Sequence, residues 1–297
     1  EFTGMDCGYC TRGIAGMMKA RAAYPDRFIG IAVHQFSGDL MNNWDYPSLC
    51  GNYVPACTYN REVAGDVYVD ILQTVKKVIS SVTPIDVHAT AAFTDDSKKE
   101  VVVNASILSA VNASYEVVYA LVGDGITGTN FIQTNYLYGD SQGKWDVTDD
   151  DPLSLFLAGG TYGKPYFRHT YDDVLLSSSY TSTVNQGGAF SLAADESTDR
   201  TYTLKLPTDK TLTDAIADSG YDLYAVVMVL NNFGYVTNAC RVKVTDGAVG
   251  IGTIDRDAYE PREVSRHTID GRRISGYTPG VNVIRMSDGT TRKIVVE

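Results

Sequence analysis

Two cysteines, Cys7 and Cys10, stand directly ahead of a helix-like run from Thr11 to Tyr24. Unpaired amide groups and the positive dipole end at a helix start favour a thiolate. A Cys-x-x-Cys in that position is therefore the arrangement of a thiol–disulfide redox centre. In this reading Cys7 attacks and Cys10 resolves the mixed disulfide. A static structural disulfide, or a zinc site completed by Cys50 and Cys57, are the other readings of the same residues.

The pattern around the pair constrains the fold. Glu1-Phe2-Thr3-Gly4 reads as the end of a strand, and the chain opens there without an initiator Met or a signal peptide, so an upstream segment with any targeting signal is expected to have been removed. Arg12 to Ala23 carries Ile14, Met17, Met18, Ala20 and Ala22 among polar residues and stops before Pro25, which predicts a helix of about three turns. Phe28 to Val33 is a nearly continuous apolar run, the signature of a strand buried on both faces of a parallel sheet. Tyr53 to Arg61 is strand-like after Pro55. Val67 to Ile79 then repeats apolar residues at helical spacing, with Lys76 and Lys77 near its end.

Beyond Thr83-Pro84 the period changes to two. Strands are predicted at 88–93, 101–107, 115–121, 200–206, 221–230 and 239–244, between Gly, Asn, Asp and Ser turns. Residues 84–248 read as an immunoglobulin-like antiparallel β-sandwich, with an irregular insertion from Asp124 to Tyr171. Residues 249–297 form a small C-terminal β module with turn signals at Asp270-Gly271, Pro279-Gly280 and Asp288-Gly289, and with Ile274, Val281 to Ile284 and Ile294 to Val296 as its paired elements. The fold class is thus α/β plus all-β, in three modules: 1–83, 84–248 and 249–297.

Composition narrows the function. A chain of 297 residues is too long for one small redox domain. A net charge of −11 argues against nucleic acid or an anionic membrane surface as partner, because a phosphate backbone needs clustered Lys and Arg. The longest apolar stretches, such as Tyr224 to Leu230, are too short to cross a bilayer as a helix. Four of the five cysteines lie between Cys7 and Cys57, so that region has its own cysteine chemistry.

Residues 1–83 resemble a thioredoxin-like domain, on Glu1-Phe2-Thr3-Gly4 before Cys7-Gly8-Tyr9-Cys10 and on Pro55 before a strand. The resemblance implies a cis-proline at Pro55 packed against the cysteine pair. No acidic residue stands out as the buried proton acceptor of thioredoxins. More closely, these motifs with Asn60-Arg61 and a following all-β region are similar to the Omp28-related cell-envelope proteins of Bacteroidetes, most specifically over the first sixty residues. The C-terminal segment, with Ile269 to Ile274, Pro279 to Met286 and Thr291 to Val296, is similar to the sorting domain of the type IX secretion system. These resemblances imply a cell-envelope, outer-membrane-surface or extracellular location. The strands are nonetheless too few and too polar for a lipid-spanning barrel.

Cys50 and Cys57 enclose a short loop around Pro55 and in an exported protein most simply form a second disulfide; a relay through Cys57 to Cys7–Cys10 is the functional alternative. Cys240, in an apolar strand, reads as a buried free thiol. The run Asp146 to Asp151 lacks the EF-hand spacing and reads as a solvated loop rather than a calcium site. The four histidines are scattered without metal spacing, Gly-x-Ser-x-Gly is absent, and Asn104-Ala105-Ser106 and Asn112-Ala113-Ser114 carry little weight in a bacterial chain. The 20 tyrosines are either sandwich filling or an aromatic face for glycan or protein.

The sequence therefore points to an exported envelope or surface protein with a thiol–disulfide module, an oxidoreductase or isomerase. Its site residues are Cys7, Cys10 and Pro55, and neither cofactor nor metal is expected. Protein thiols or disulfides are the expected partners, with surface proteins or glycans as further ones. The competing class is a non-enzymatic surface-binding protein or adhesin that keeps the fold only as scaffold.

Overall fold

Val117 to Val122 and Ala225 to Leu230 are apolar or aromatic at every position, a pattern that demands apolar cover on both faces of a sheet. The computed structural model supplies that cover. It describes residues 1–51, 53–218, 220, 222–247, 263–268, 272, 274, 276–286 and 291–296. The chain divides into two units, Glu1–Gly250 and Ile251–Glu297.

The first unit begins with β1 (Phe2–Thr3), α1 (Thr11–Ala23), β2 (Val33–His34), the hairpin β3 (Cys57–Tyr59) and β4 (Val63–Gly65), and α2 (Ile71–Ile79). Three long strands follow, β5 (Ile85–Phe93), β6 (Glu100–Ser109) and β7 (Ala113–Asp124). An insertion then carries β8 (Ile132–Thr134), the short α3 (Gln142–Trp145), a 3-10 turn at Pro152–Phe156 and β9 (Tyr166–Arg168). The chain returns through β10 (Val174–Ser178), β11 (Ala189–Leu192), β12 (Glu196–Lys205), α4 (Lys210–Asp218), β13 (Asp222–Leu230) and β14 (Val236–Thr245).

The large sheet runs β10-β7-β13-β14-β5-β6-β12, with β11 also on β7. Every joint is antiparallel except β14–β5, a short parallel contact at Val244↔Ala91 and Thr245↔Ala92. The sheet curls at that joint, so that Val101, Val103 and Ile107 of β6 pack with Val117, Leu121, Val227 and Val229 in one core. Tyr119 of β7 stacks on Tyr202 of β12 at 5.3 Å between ring centroids. The alternate residues Val118, Ala120, Val122, Val226, Met228 and Leu230 point the other way and are covered by Phe2, Val33 and Tyr46. The first unit thus has a third layer that a two-sheet sandwich lacks.

That layer joins the sheet edge to edge. β1 pairs with β2 in parallel, at Phe2↔Val33 and Thr3↔His34. On the far side of β2, the Ala32 amide donates to Asp173 O at 2.7 Å and the Leu175 amide donates to Ala32 O at 2.9 Å, linking it to β10. This continuity, with the docking of the insertion described below, explains why residues 1–83 and the strands after them share one unit.

Local differences from the sequence reading have local causes. α2 starts at Ile71 rather than Val67, because Asp66 Oδ1 accepts the amides of Tyr68 at 2.8 Å and Val69 at 2.7 Å and holds a turn there. The strand predicted to Arg61 ends at Tyr59, since Asn60 and Arg61 both take positive φ, 50° and 61°, and form a tight hairpin turn. In the apolar run 28–33 only Ala32 and Val33 are paired as strand. β10, β11 and α4 were not predicted, although Asp209 before α4 accepts the Leu212 amide at 3.1 Å as a helix cap.

The second unit contains β15 (Glu263–Thr268), β16 (Gly280–Met286) and β17 (Thr291–Val296), an antiparallel three-stranded sheet. The predicted turns Asp270-Gly271 and Asp288-Gly289 and the boundary at 248/249 lie outside the described residues. Ile274 extends the edge, its amide donating to Arg266 O at 2.9 Å.

Candidate functional site

β1 delivers the chain to the cysteines. It is held by β2 on one side and on the other by Ala56, whose amide donates to Phe2 O at 3.2 Å while Phe2 N donates to Ala56 O at 2.7 Å. The Val54–Pro55 bond is cis, and the pairing of Ala56 with Phe2 puts Pro55 just ahead of the segment that lies beside the strand leading to Cys7. The loop closes by a Cys7 amide bond to Gly4 O and a Cys10 amide bond to Cys7 O, after which Cys10 occupies the cap position of α1. Cys7 and Cys10 are joined as a disulfide. Cys7 keeps 6 % exposure and Cys10 none, so both are buried and Cys7 is the less enclosed of the two residues.

α1 buries a face of small residues, Gly13, Ala15, Gly16 and Ala20, rather than the methionines that the sequence pattern offered. Gly16 has a reason for lacking a side chain: a Cβ would fall 1.9 Å from Val67 O in the segment ahead of α2. At Gly13 the occupant is a carboxylate, because a Cβ would fall 1.7 Å from Glu1 Oε1. Glu1, six residues ahead of Cys7, thus lodges against α1 one turn beyond Cys10.

Glu1 is the site residue that sequence reasoning missed. The residue as a whole is half-buried, but its Oε1 is sealed from solvent and has no hydrogen-bond partner. Burial pushes its pKa up to about 7, against the lowering influence of the amino-terminal charge, His34 and Thr3. The carboxyl is therefore poised to hold or release a proton near neutrality. The available signal was a carboxylate at the start of a buried strand, paired with a glycine in the following helix.

The loop is also buttressed from both within and outside the first eighty residues. Asp39 accepts the Met5 amide at 2.7 Å and the Met41 amide at 2.8 Å, and contacts His34 Nδ1 at 2.7 Å. Burial raises the Asp39 pKa, but His34 and the two amides outweigh it and hold the carboxyl below its ordinary value. From the insertion, Gln133 Nε2 donates to Cys7 O at 3.1 Å, and its Oε1 accepts from Tyr171 Oη at 3.1 Å. His169 sits among Phe156, Tyr162, Phe167 and Tyr171, and burial pushes its pKa down to about 4. Arg12 pairs with Asp66 at 2.7 Å and lies over the Trp145 ring at 5.3 Å.

Cys50 and Cys57 are not joined in the structure; both are free thiols. The cause is that they enter different apolar clusters. Cys57 packs with Ala15, Tyr59 and Val67 on the helix side, where its Sγ donates to Gly65 O at 3.2 Å. Cys50 packs with Phe2, Val33 and Tyr46 against the large sheet. Burial pushes the Cys50 thiol up to about 11, raises Cys57, and pushes Cys240 up to about 12, so none of them is primed as a nucleophile. Among the described residues no group of three His, Cys, Asp or Glu could hold a metal ion. In the acidic run, Asp151 is committed to Lys19 at 2.7 Å, to Tyr68 Oη at 2.6 Å and to the 3-10 turn that it caps.

A buried ion network ties this region to the large sheet. Asp173, 1 % exposed, accepts from Arg21 of α1 and, at 3.1 Å, from Arg241 of β14, whose other nitrogen reaches Asp124 at 2.7 Å. Burial raises the Asp173 pKa, opposed by both guanidiniums. Gly30 makes room for it, since a Cβ there would fall 2.3 Å from Asp173 Oδ2. Among the described residues no helix is long and apolar enough to cross a membrane.

The class defined by fold and site is a mostly β protein with few helices that presents a disulfide at a helix start. No family model matches the chain, and no curated protein matches it. Among solved structures it is similar in fold to HBP35 of Porphyromonas gingivalis, with a TM-score of 0.54 and 14 % identity over 100 % of this chain and 96 % of that one. A match to dimeric latent PorU of Porphyromonas gingivalis has a TM-score of 0.25 and 11 % identity, covers 75 % of this chain and 17 % of that one, and carries no argument about fold or function.

Proposed function

We propose that the protein is an exported envelope or surface protein whose N-terminal, thioredoxin-like part carries out thiol–disulfide exchange at Cys7–Cys10. The observation that carries this reading is the disulfide at the cap of α1 with the proton-holding carboxyl of Glu1 lodged against the same helix. The cis Val54–Pro55 bond just ahead of the neighbouring segment supports it. The export part rests on the likeness of the first sixty residues to Omp28-related proteins and of the last segment to a type IX sorting domain. The whole-chain likeness to HBP35 in fold is consistent with both.

In the exchange, a substrate thiolate forms a bond to Cys7 Sγ, the Cys7–Cys10 bond breaks, and its electron pair leaves on Cys10 Sγ. Protonated Glu1 supplies the proton that neutralises the Cys10 thiolate. A second substrate thiolate then attacks the substrate sulfur of the mixed disulfide and expels Cys7, so the substrate is oxidised and the pair reduced. Reduction of a substrate disulfide is the same sequence reversed, with Glu1 as the base that takes the Cys10 proton.

Reduced protein treated with limiting alkylating agent at mildly acidic pH should label Cys7 first, because Cys10 is fully enclosed. Peptide mass mapping reads the order. Equal or faster labelling of Cys10 would contradict the assignment of roles.

The near-burial of Cys7, beside the exposed rings of Tyr9 and Tyr136, favours a second reading, a surface-binding protein that keeps the disulfide as a brace. The two readings separate on whether Cys7→Ser abolishes any exchange activity.

A further inference from the structure

We propose that Tyr136 is a gate over Cys7 that decides which thiols reach the disulfide, a specificity role that rests on the exchange reading above. Tyr136 belongs to the insertion, far from the cysteines in sequence, yet β8 and the residues after it lie along the Cys7–Cys10 loop. The Thr134 amide donates to Met5 O at 2.8 Å, Gln133 Nε2 donates to Gly4 O at 3.3 Å and Cys7 O at 3.1 Å, and the Tyr136 amide donates to Gly8 O at 2.9 Å. The loop is thereby pinned before, at and after Cys7.

Gly8 shows where the Tyr136 ring lies. A Cβ on Gly8 would fall 2.3 to 2.5 Å from three ring carbons, so the ring rests directly on the residue that follows Cys7. Tyr9 meets it edge-on at 5.5 Å between centroids. As residues, Tyr9 and Tyr136 are 53 % and 59 % exposed, while Cys7 is 6 % exposed.

Backbone and ring differ in freedom. Gln133 and Thr134 are buried and multiply hydrogen-bonded, so β8 is a fixed clamp. Tyr136 is held through its backbone, with much of its side chain open to solvent, and exposed side chains change rotamer within nanoseconds. The ring therefore swings while the loop stays in place. A thiolate must approach Cys7 Sγ in line with the bond it breaks, expelling Cys10 Sγ with the electron pair. Such an approach suits a cysteine in an unfolded, extended segment, whose apolar side chains stack on Tyr9 and Tyr136 as the gate opens. A cysteine on a folded surface is excluded.

The test is the rate at which the oxidised protein is reduced by glutathione and by a cysteine on a folded carrier protein, followed by quenched alkylation and mass shift of the Cys7–Cys10 peptide. Tyr136→Ala should accelerate both reactions by about tenfold or more, with the larger gain for the folded carrier. Gly8→Ala should act in the same direction, since its methyl group displaces the ring; Tyr136→Phe, which keeps the ring, should stay as slow as the wild type. If both Tyr136→Ala and Gly8→Ala react no faster than the wild type with either thiol, the gate is overturned. Chemical reduction needs no catalytic turnover, so faster reduction of these variants in a protein without exchange activity would leave the gate standing and remove the exchange reading.

Discussion

Asp173→Ala should destabilise the protein by about 1.5–3 kcal/mol, the cost of removing a charged hydrogen-bond acceptor from two guanidiniums that each keep another carboxylate. In the wild type this carboxylate, 1 % exposed, is shared by Arg21 and Arg241. Its removal leaves two partly exposed guanidiniums that lose the carboxylate they share and keep only Asp172 and Asp124 as partners. The Asp173 backbone, which the substitution keeps, accepts from Ala32 beside β2, so the lost side-chain network lies at the contact between the N-terminal layer and the large sheet and its loss should loosen that contact. Urea unfolding, with the midpoint converted through the slope, reads the effect. Gly30→Ala should be destabilising for the same reason, since its methyl group would strike the same carboxylate. A midpoint for Asp173→Ala close to the wild type would mean that the network does not hold the layers together.

Glu1→Gln should change the pH dependence of stability by about 3 kcal/mol between pH 4.5 and 7, the free energy that corresponds to a pKa raised from 4.5 to about 7. A carboxyl whose pKa is higher folded than unfolded binds its proton more tightly in the native state. Its contribution is fully present below pH 4.5 and is lost as pH rises through about 7. His169 works in the opposite direction: its pKa, lowered from 6.5 to about 4, makes the native state gain stability as pH rises through that window. The wild-type curve therefore contains two opposing slopes, and the informative quantity is the difference between wild type and Glu1→Gln at each pH. That difference should grow in favour of the variant up to about pH 7 and then level off. A difference independent of pH would show that Glu1 titrates like an ordinary carboxyl, and the proton role assigned to it would fall.

Much of this arrangement was written in local pattern. Cys-x-x-Cys before a helix, the proline ahead of a strand and the strand-like runs that became β5, β6, β7, β12, β13 and β14 were all readable, because each depends on neighbours in sequence. What depended on distant partners was not. Ala225 to Leu230 was recognisable as a strand, but its lack of alternation also announced cover on a second face, supplied by Phe2, Val33 and Tyr46 some two hundred residues away. Cys50 and Cys57 looked paired by spacing, yet the two thiols turn into different apolar clusters. Gly13 and Gly8 are a further case. Their meaning lies in Glu1 and Tyr136, which only the fold brings against them.

The central claim is that Cys7–Cys10 exchanges with substrate disulfides, and insulin reduction with dithiothreitol as electron donor tests it most directly. The wild type should accelerate insulin precipitation by about tenfold or more over dithiothreitol alone, Cys7→Ser should return the rate to background, and Cys10→Ser should accumulate a mixed disulfide with insulin through Cys7. A wild type no faster than Cys7→Ser, with no mixed disulfide in Cys10→Ser, would contradict the account and leave the disulfide as a brace in a surface-binding protein.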